Sequence, residues 1–168
     1  MRKAVLPLLL AMLMACTPML PGGSAQLPET GIGGAFSRQA VVAETRHAVM
    51  VGQVFVLRQN GGTVLTAEVG QTWRAGQGRL RMDTAWDRGA ERAFVATTRT
   101  ERHCLGDGQC RGFRTGTFVL TRTEFEAATR EGLRATLIGP DDTVAVAFPA
   151  ALFAEAMTRA RDIGLWPP

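Results

Sequence analysis

The apolar and polar positions alternate most clearly over Thr63–Val69. Leu65, Ala67 and Val69 fall on one side, and Val64, Thr66 and Glu68 on the other. A period of two is the mark of a half-buried strand, so this stretch predicts one buried face and one wet face. The preceding Ala48–Arg58 is rich in Val and Phe and reads as a strand. Between them stands Gln59-Asn60-Gly61-Gly62, and Asn-Gly readily takes the positive φ angles of a tight turn. A hairpin is therefore expected over residues 48–69. Leu80 and Met82 alternate with Arg79, Arg81 and Asp83, which predicts a further short strand. Ala93–Arg102 begins apolar and turns polar, and Gly112–Leu120 reads as its partner. Arg38–His47 fits either a short helix or an approach to a strand, and Trp73 and Trp86 read as core or edge aromatics.

The last third of the chain switches period. Thr121 with Glu124, and Thr123 with Glu126, both fit a capping box, in which each partner satisfies an amide that the first helical turn leaves open. A helix is expected from about Arg122 to Glu131, with Gly132 as its C-cap. Leu133–Ile138 and Thr143–Phe148 predict a second hairpin around Gly139-Pro140-Asp141-Asp142. Pro149 then opens a helix to about Asp162. Leu152, Phe153, Ala156, Met157, Ala160 and Ile163 recur at helical spacing along it, an apolar stripe, and Gly164 ends it. Strands grouped into hairpins, followed by helix, hairpin and helix, are not the alternating pattern of a parallel sheet. The fold class expected is α+β: an antiparallel sheet built from hairpins, with a short helix and a C-terminal amphipathic helix packed on it.

The N-terminal segment carries the sharpest message. Met1-Arg2-Lys3 is a charged start, Ala4–Ala15 is apolar, and Leu13-Met14-Ala15-Cys16 closes the run. The apolar stretch is shorter than the roughly 20 residues a bilayer span needs, and Pro7 interrupts it. This segment resembles the signal of bacterial lipoproteins, whose lipobox ends in an invariant cysteine. The resemblance covers the first sixteen residues and implies that 1–15 are removed. It implies that Cys16 becomes the acylated first residue, carrying a diacylglyceryl thioether and an amide-linked chain such as palmitate. Thr17 stands where an aspartate commonly retains a lipoprotein at the inner membrane, so an outer-membrane, periplasm-facing location is expected. Residues 16–36, rich in Pro and Gly, read as a flexible tether, and 37–168 as a single globular domain.

Composition changes the picture little. Arg2 and Lys3 supply two of the four net positive charges and would leave with the signal, so the mature chain is only mildly basic. No concentrated basic stripe argues for nucleic acid. Cys104 and Cys110 remain as an even pair, and in an oxidising compartment they are expected to form a disulfide around Leu-Gly-Asp-Gly-Gln. A zinc site from His103, Cys104, Asp107 and Cys110 fits poorly, because the spacing is too wide. His47 and His103 are the only histidines, and serine is confined to Ser24 and Ser37, which leaves no hydrolase triad. Asp141 and Asp142 read as turn residues. No metal or cofactor is expected. Arg99, Arg102, Arg111 and Arg114 lie where a hairpin over 93–118 would gather them, a place for anionic lipid or glycan. The expectation is a non-catalytic envelope lipoprotein that binds the membrane through Cys16 and serves an envelope protein partner. The alternative is an anionic lipid or glycan binder using the arginine hairpin, and an envelope enzyme comes third.

Overall fold

The computed structural model describes residues 21–27, 32–46, 48–59, 61–73, 80–97, 101–104, 110–113 and 116–166. The strands are β1 Gly23–Leu27, β2 Ile32–Phe36, β3 Ala40–Glu44, β4 Ala48–Gln59, β5 Gly62–Trp73, β6 Thr84–Asp87, β7 Ala90–Glu91, β8 Phe94–Ala96, β9 Glu101–Cys104, β10 Cys110–Phe113, β11 Gly116–Leu120, β12 Leu133–Ile138 and β13 Thr143–Phe148. The helices are α1 Arg122–Glu131 and α2 Ala150–Asp162. The protein is α+β but dominated by antiparallel sheet.

The first sheet has the order β1-β2-β4-β5-β11-β8, with β3 also on β4; the second has the order β13-β12-β6-β7. The backbone of the first sheet is the β4–β5 hairpin, in which Gln59 pairs with Gly62 across the turn and Gly61 takes φ 78. Without a Cβ, glycine occupies that region at no steric cost. β2 and β3 line up end to end on one edge of β4, β2 against Phe55–Arg58 and β3 against Val49–Gly52. Ser37 bridges the gap. Its N–H donates to the Val54 carbonyl at 2.9 Å, and its Oγ accepts the Val54 N–H at 3.0 Å. The Gln53 side chain donates to the Ser37 carbonyl at 2.7 Å. One buried hydroxyl therefore replaces a backbone carbonyl where the strand breaks.

The inner face of the first sheet contributes Met50, Val54, Val56, Leu65, Ala67, Val69 and Phe118 to the core. It meets Ala135, Leu137, Val144, Val146 and Phe148 of the second sheet, and α2 lies against β2 and β4. Packing is tight at Gly52, where a Cβ would collide with Val42 and Phe148. A file of rings ties the layers together. Phe94–Phe118 centroids lie 5.0 Å apart, Phe118–Phe148 6.0 Å, Phe148–Phe153 6.3 Å, Phe153–Phe125 5.4 Å and Phe125–Trp166 5.3 Å. Each such contact adds roughly 0.5–1.5 kcal/mol beyond area burial. Arg122 covers the end of the file, its Cζ 5.0 Å from the Trp166 ring centre.

Both helices start and stop where the pattern places them. Of the two capping boxes open to the sequence, the structure takes Thr121 with Glu124. The Thr121 N–H donates to Glu124 Oε2 at 2.8 Å, and Glu124 N–H donates to Thr121 Oγ1 at 3.3 Å. Gly132 closes α1 at φ 75. On α2, Leu152, Phe153, Ala156 and Ala160 are buried, with Met157 and Ile163 packed at the margin.

Three expectations differ. The segment 16–36, read as a tether, contains β1 and β2, paired from Gly23↔Phe36 to Leu27↔Ile32. Its glycines permit close strand approach rather than disorder: the Phe36 ring lies over Gly23, and the Leu57 side chain against Gly34. Leu80 and Met82 are buried, and Arg81 exposed, as alternation requires, yet residues 80–83 form no ladder. The Gln71 side chain takes the place of a partner strand. Its Nε2 donates to the Leu80 carbonyl at 2.6 Å, and its Oε1 accepts the Leu80 N–H at 3.1 Å. The strand falls instead at β6. Finally, the outer face of β5 is not simply wet, as shown next.

Candidate functional site

The expected anchor, Cys16, lies outside the described residues and seven positions before β1. An extended chain of that length spans at most about 25 Å. Because β1 is an edge strand of the first sheet, anything holding Cys16 holds that sheet edge within the same distance.

The expected disulfide pair falls on the β9–β10 ribbon. The register sets Cys104 directly opposite Cys110, followed by His103↔Arg111, Arg102↔Gly112 and Glu101↔Phe113. Opposed residues in antiparallel strands have Cα atoms about 4.5–5.5 Å apart, within the range a disulfide bridges. The hairpin expected over 93–118 is present, since β8 pairs with β11 outside β9–β10. Arg102 and Arg111 occupy neighbouring rungs of that ribbon, while Arg99 and Arg114 lie outside the described residues. His47 lies outside them too, and His103 is placed by its backbone alone. Asp141 and Asp142 belong to the β12–β13 turn, where the Gly139 N–H donates to the Asp142 carbonyl at 2.9 Å.

The outer face of the first sheet is apolar over several strands. Val41, Leu57, Val64, Val95 and Val119 are exposed there. Leu57, Val64 and Val119 lie nearest the Phe36–Phe55 pair, whose centroids are 6.0 Å apart, and the next rung on this face, Gln53–Glu68–Thr117–Val95, is polar up to its end. The ladder runs Phe36–Phe55–Thr66–Val119 across four strands, with Leu57–Val64 on the same face. Thr66, expected on a wet face, is buried between these larger neighbours, and its Oγ1 has no hydrogen-bond partner. This surface reaches β1 itself, because the Phe36 ring covers Gly23.

The outer face of the second sheet is different. A shallow groove of about 240 Å³ runs over β12 and β13. Its floor is Thr136, Ala145 and Ala147, with Trp86 and Asp87 on one side and Arg134 among its walls. The rung Ala145–Thr136–Trp86 crosses three strands. Trp86, read as a core or edge aromatic, is neither: it is 37% exposed on the outer face of β6, an inner strand between β12 and β7. That Arg134 and Trp86 share a face could not be read from local pattern, because the pairing of β6 with β12 is long-range.

Among the described residues, one carboxyl departs clearly from its ordinary behaviour. The backbone N–H of Thr121 holds Glu124 below the usual range, aided by the Thr121 hydroxyl and the Arg92 charge against a desolvation penalty. Arg92 Nη2 lies 3.0 Å from Glu124 Oε1. The pair fastens a helix start and has no cleft around it. Among the described residues no helix is long and apolar enough to cross a membrane. No protein-family model, curated protein or solved structure matches the chain.

Proposed function

We propose that the chain is a lipid-anchored, non-catalytic binding domain of a bacterial envelope. Acyl chains on Cys16 fix it to the periplasmic leaflet of the outer membrane. The observation that carries this reading is the run Leu13-Met14-Ala15-Cys16, behind a charged start and only seven residues ahead of an edge strand. The short reach brings the first sheet to the leaflet, and its apolar outer face, continuous with Gly23, is the surface suited to rest there. Because the two sheets pack inner face to inner face, the groove beside Trp86 then points into the compartment, toward partners. An oxidised Cys104–Cys110 bridge at the ribbon tip belongs to the same location.

Labelling cells with a palmitate analogue tests the anchor. The wild-type protein is expected in the membrane fraction with label, and the Cys16→Ala protein unlabelled and in the soluble fraction. Label retained after Cys16→Ala would overturn the reading. Cross-linking the anchored protein in cells, with the secreted Cys16→Ala form as control, tests for the envelope partner. A protein captured specifically by the anchored form alone is the result expected.

A further inference from the structure

We infer that the groove on the outer face of the second sheet is a binding site for an acidic saccharide, which goes beyond the anchoring proposal. The floor is made of small side chains, Thr136, Ala145 and Ala147, so it is flat and open. Trp86 rises beside it with over a third of its surface exposed, on the rung next to Thr136. An exposed indole next to a small-residue shelf offers a broad apolar face. The C–H face of a pyranose ring is apolar and slightly positive, which matches the negative face of an aromatic ring. A bare phosphate or carboxylate has no use for such a shelf.

The charges decide which sugar. Three charged residues line the groove: Asp87, Arg88 and Arg134. Asp87 is already faced by Arg88, with Nε 4.0 Å from Oδ1. Arg134 is exposed and makes no hydrogen bond or ion pair among the described residues. The uncompensated charge in the groove is therefore a guanidinium, whose fork matches a carboxylate. Glu91 is the direct partner of Trp86 on β7, on the side of Trp86 away from Thr136, and does not line the groove. Asp87 supplies an acceptor for ring hydroxyls. Trp86 stacks the ring, Arg134 takes the acid, and Asp87 orients the hydroxyls.

The turn beside the groove points the same way. Asp87 pairs with Ala90 across a two-residue loop in which Arg88 has φ 49 and Gly89 φ 81. Such a turn favours Asn-Gly, since its first position strains most side chains. A long cation occupies that position here, and backbone strain of this kind gathers at ligand sites.

Calorimetric titration of the detergent-solubilised anchored protein tests the site. The probes are trigalacturonate, its neutral methyl ester and acetate. Trigalacturonate is expected to bind saturably, the ester about tenfold more weakly, and acetate not at all. Arg134→Gln should bring the acid down to the level of the ester, and Trp86→Ala should abolish both, with the amide spectrum away from the groove unchanged. The absence of saturable binding by either sugar would overturn the proposal. So would equal binding of acid and ester, or acid binding that survives Trp86→Ala. The Cys16→Ala protein should bind identically, so a failure of the anchor reading leaves this test standing.

Discussion

At the scale of single residues, two positions carry more than their size suggests. Ser37 is fully buried and satisfies the Val54 N–H at the gap between β2 and β3. Ser37→Ala removes the acceptor and leaves a buried donor open, so it should cost about 1–3 kcal/mol in chemical denaturation. Ser37→Thr keeps the hydroxyl but must fit an added methyl. Gly52 is limited by space: a Cβ there meets Val42 and Phe148. Gly52→Ala should cost about 1–3 kcal/mol by overpacking, and Val42→Ala in the same chain should recover part of it. A purely additive double variant would show that the close approach to Val42 is not the cause. Neither residue announces itself in the sequence. Ser37 looks like the end of a polar segment, and Gly52 like a weak point in a strand, because their partners are distant along the chain.

At the scale of elements, legibility follows the range of the interactions. The β4–β5 and β12–β13 hairpins and both helices could be read because Asn-Gly, Gly-Pro-Asp-Asp, Thr121-x-x-Glu124 and Gly132 act on near neighbours. β1 and β2 were hidden among Pro and Gly because β2 is held by pairing with the distant β4, and β1 in turn by β2. The strand expected at Leu80–Met82 failed because a side chain, Gln71, took over the role of a partner backbone. The capping box of α1 gives an expected pH dependence. Glu124 titrates below its ordinary value in the folded state. Its contribution is thus complete above the unfolded carboxylate pKa and is lost as pH falls through the lower folded value. Glu124→Gln should flatten that part of the acid limb in a stability profile, a small change since the side chain is 37% exposed and solvent screens it. Thr121→Ala, which opens the cap itself, should cost about 1 kcal/mol at neutral pH. For the ribbon, replacing both Cys104 and Cys110 with serine should cost about 2 kcal/mol if the bridge forms, and thiol alkylation under non-reducing conditions should then find neither sulfur free.

At the scale of the whole molecule, two outer faces of opposite character follow from one sandwich. The first sheet shows valines and a phenylalanine pair, and the second shows a tryptophan beside an open arginine. If the first lies on the leaflet, a nitroxide carried on Val64→Cys should be shielded from a water-soluble relaxant in vesicles, and one on Thr136→Cys should be fully accessible. Equal accessibility would assign the apolar face to another occupant. The candidate groove was illegible beforehand because Trp86, Thr136 and Ala145 meet only through long-range strand pairing, whereas the proposed anchor rests on a contiguous motif that local reading can pick out.

The anchor proposed at Cys16 would also give its junction with the domain a mechanical consequence. β1 enters the first sheet at Gly23 and lies along β2 through five paired rungs, antiparallel to it. A pull on the anchor directed along β1 loads those rungs together, in shear. A pull directed across the sheet loads Gly23↔Phe36 first and peels the rungs in turn. The attachment therefore resists tension from one direction and yields to the other, and the tilt of the domain against its membrane sets the force at which it lets go.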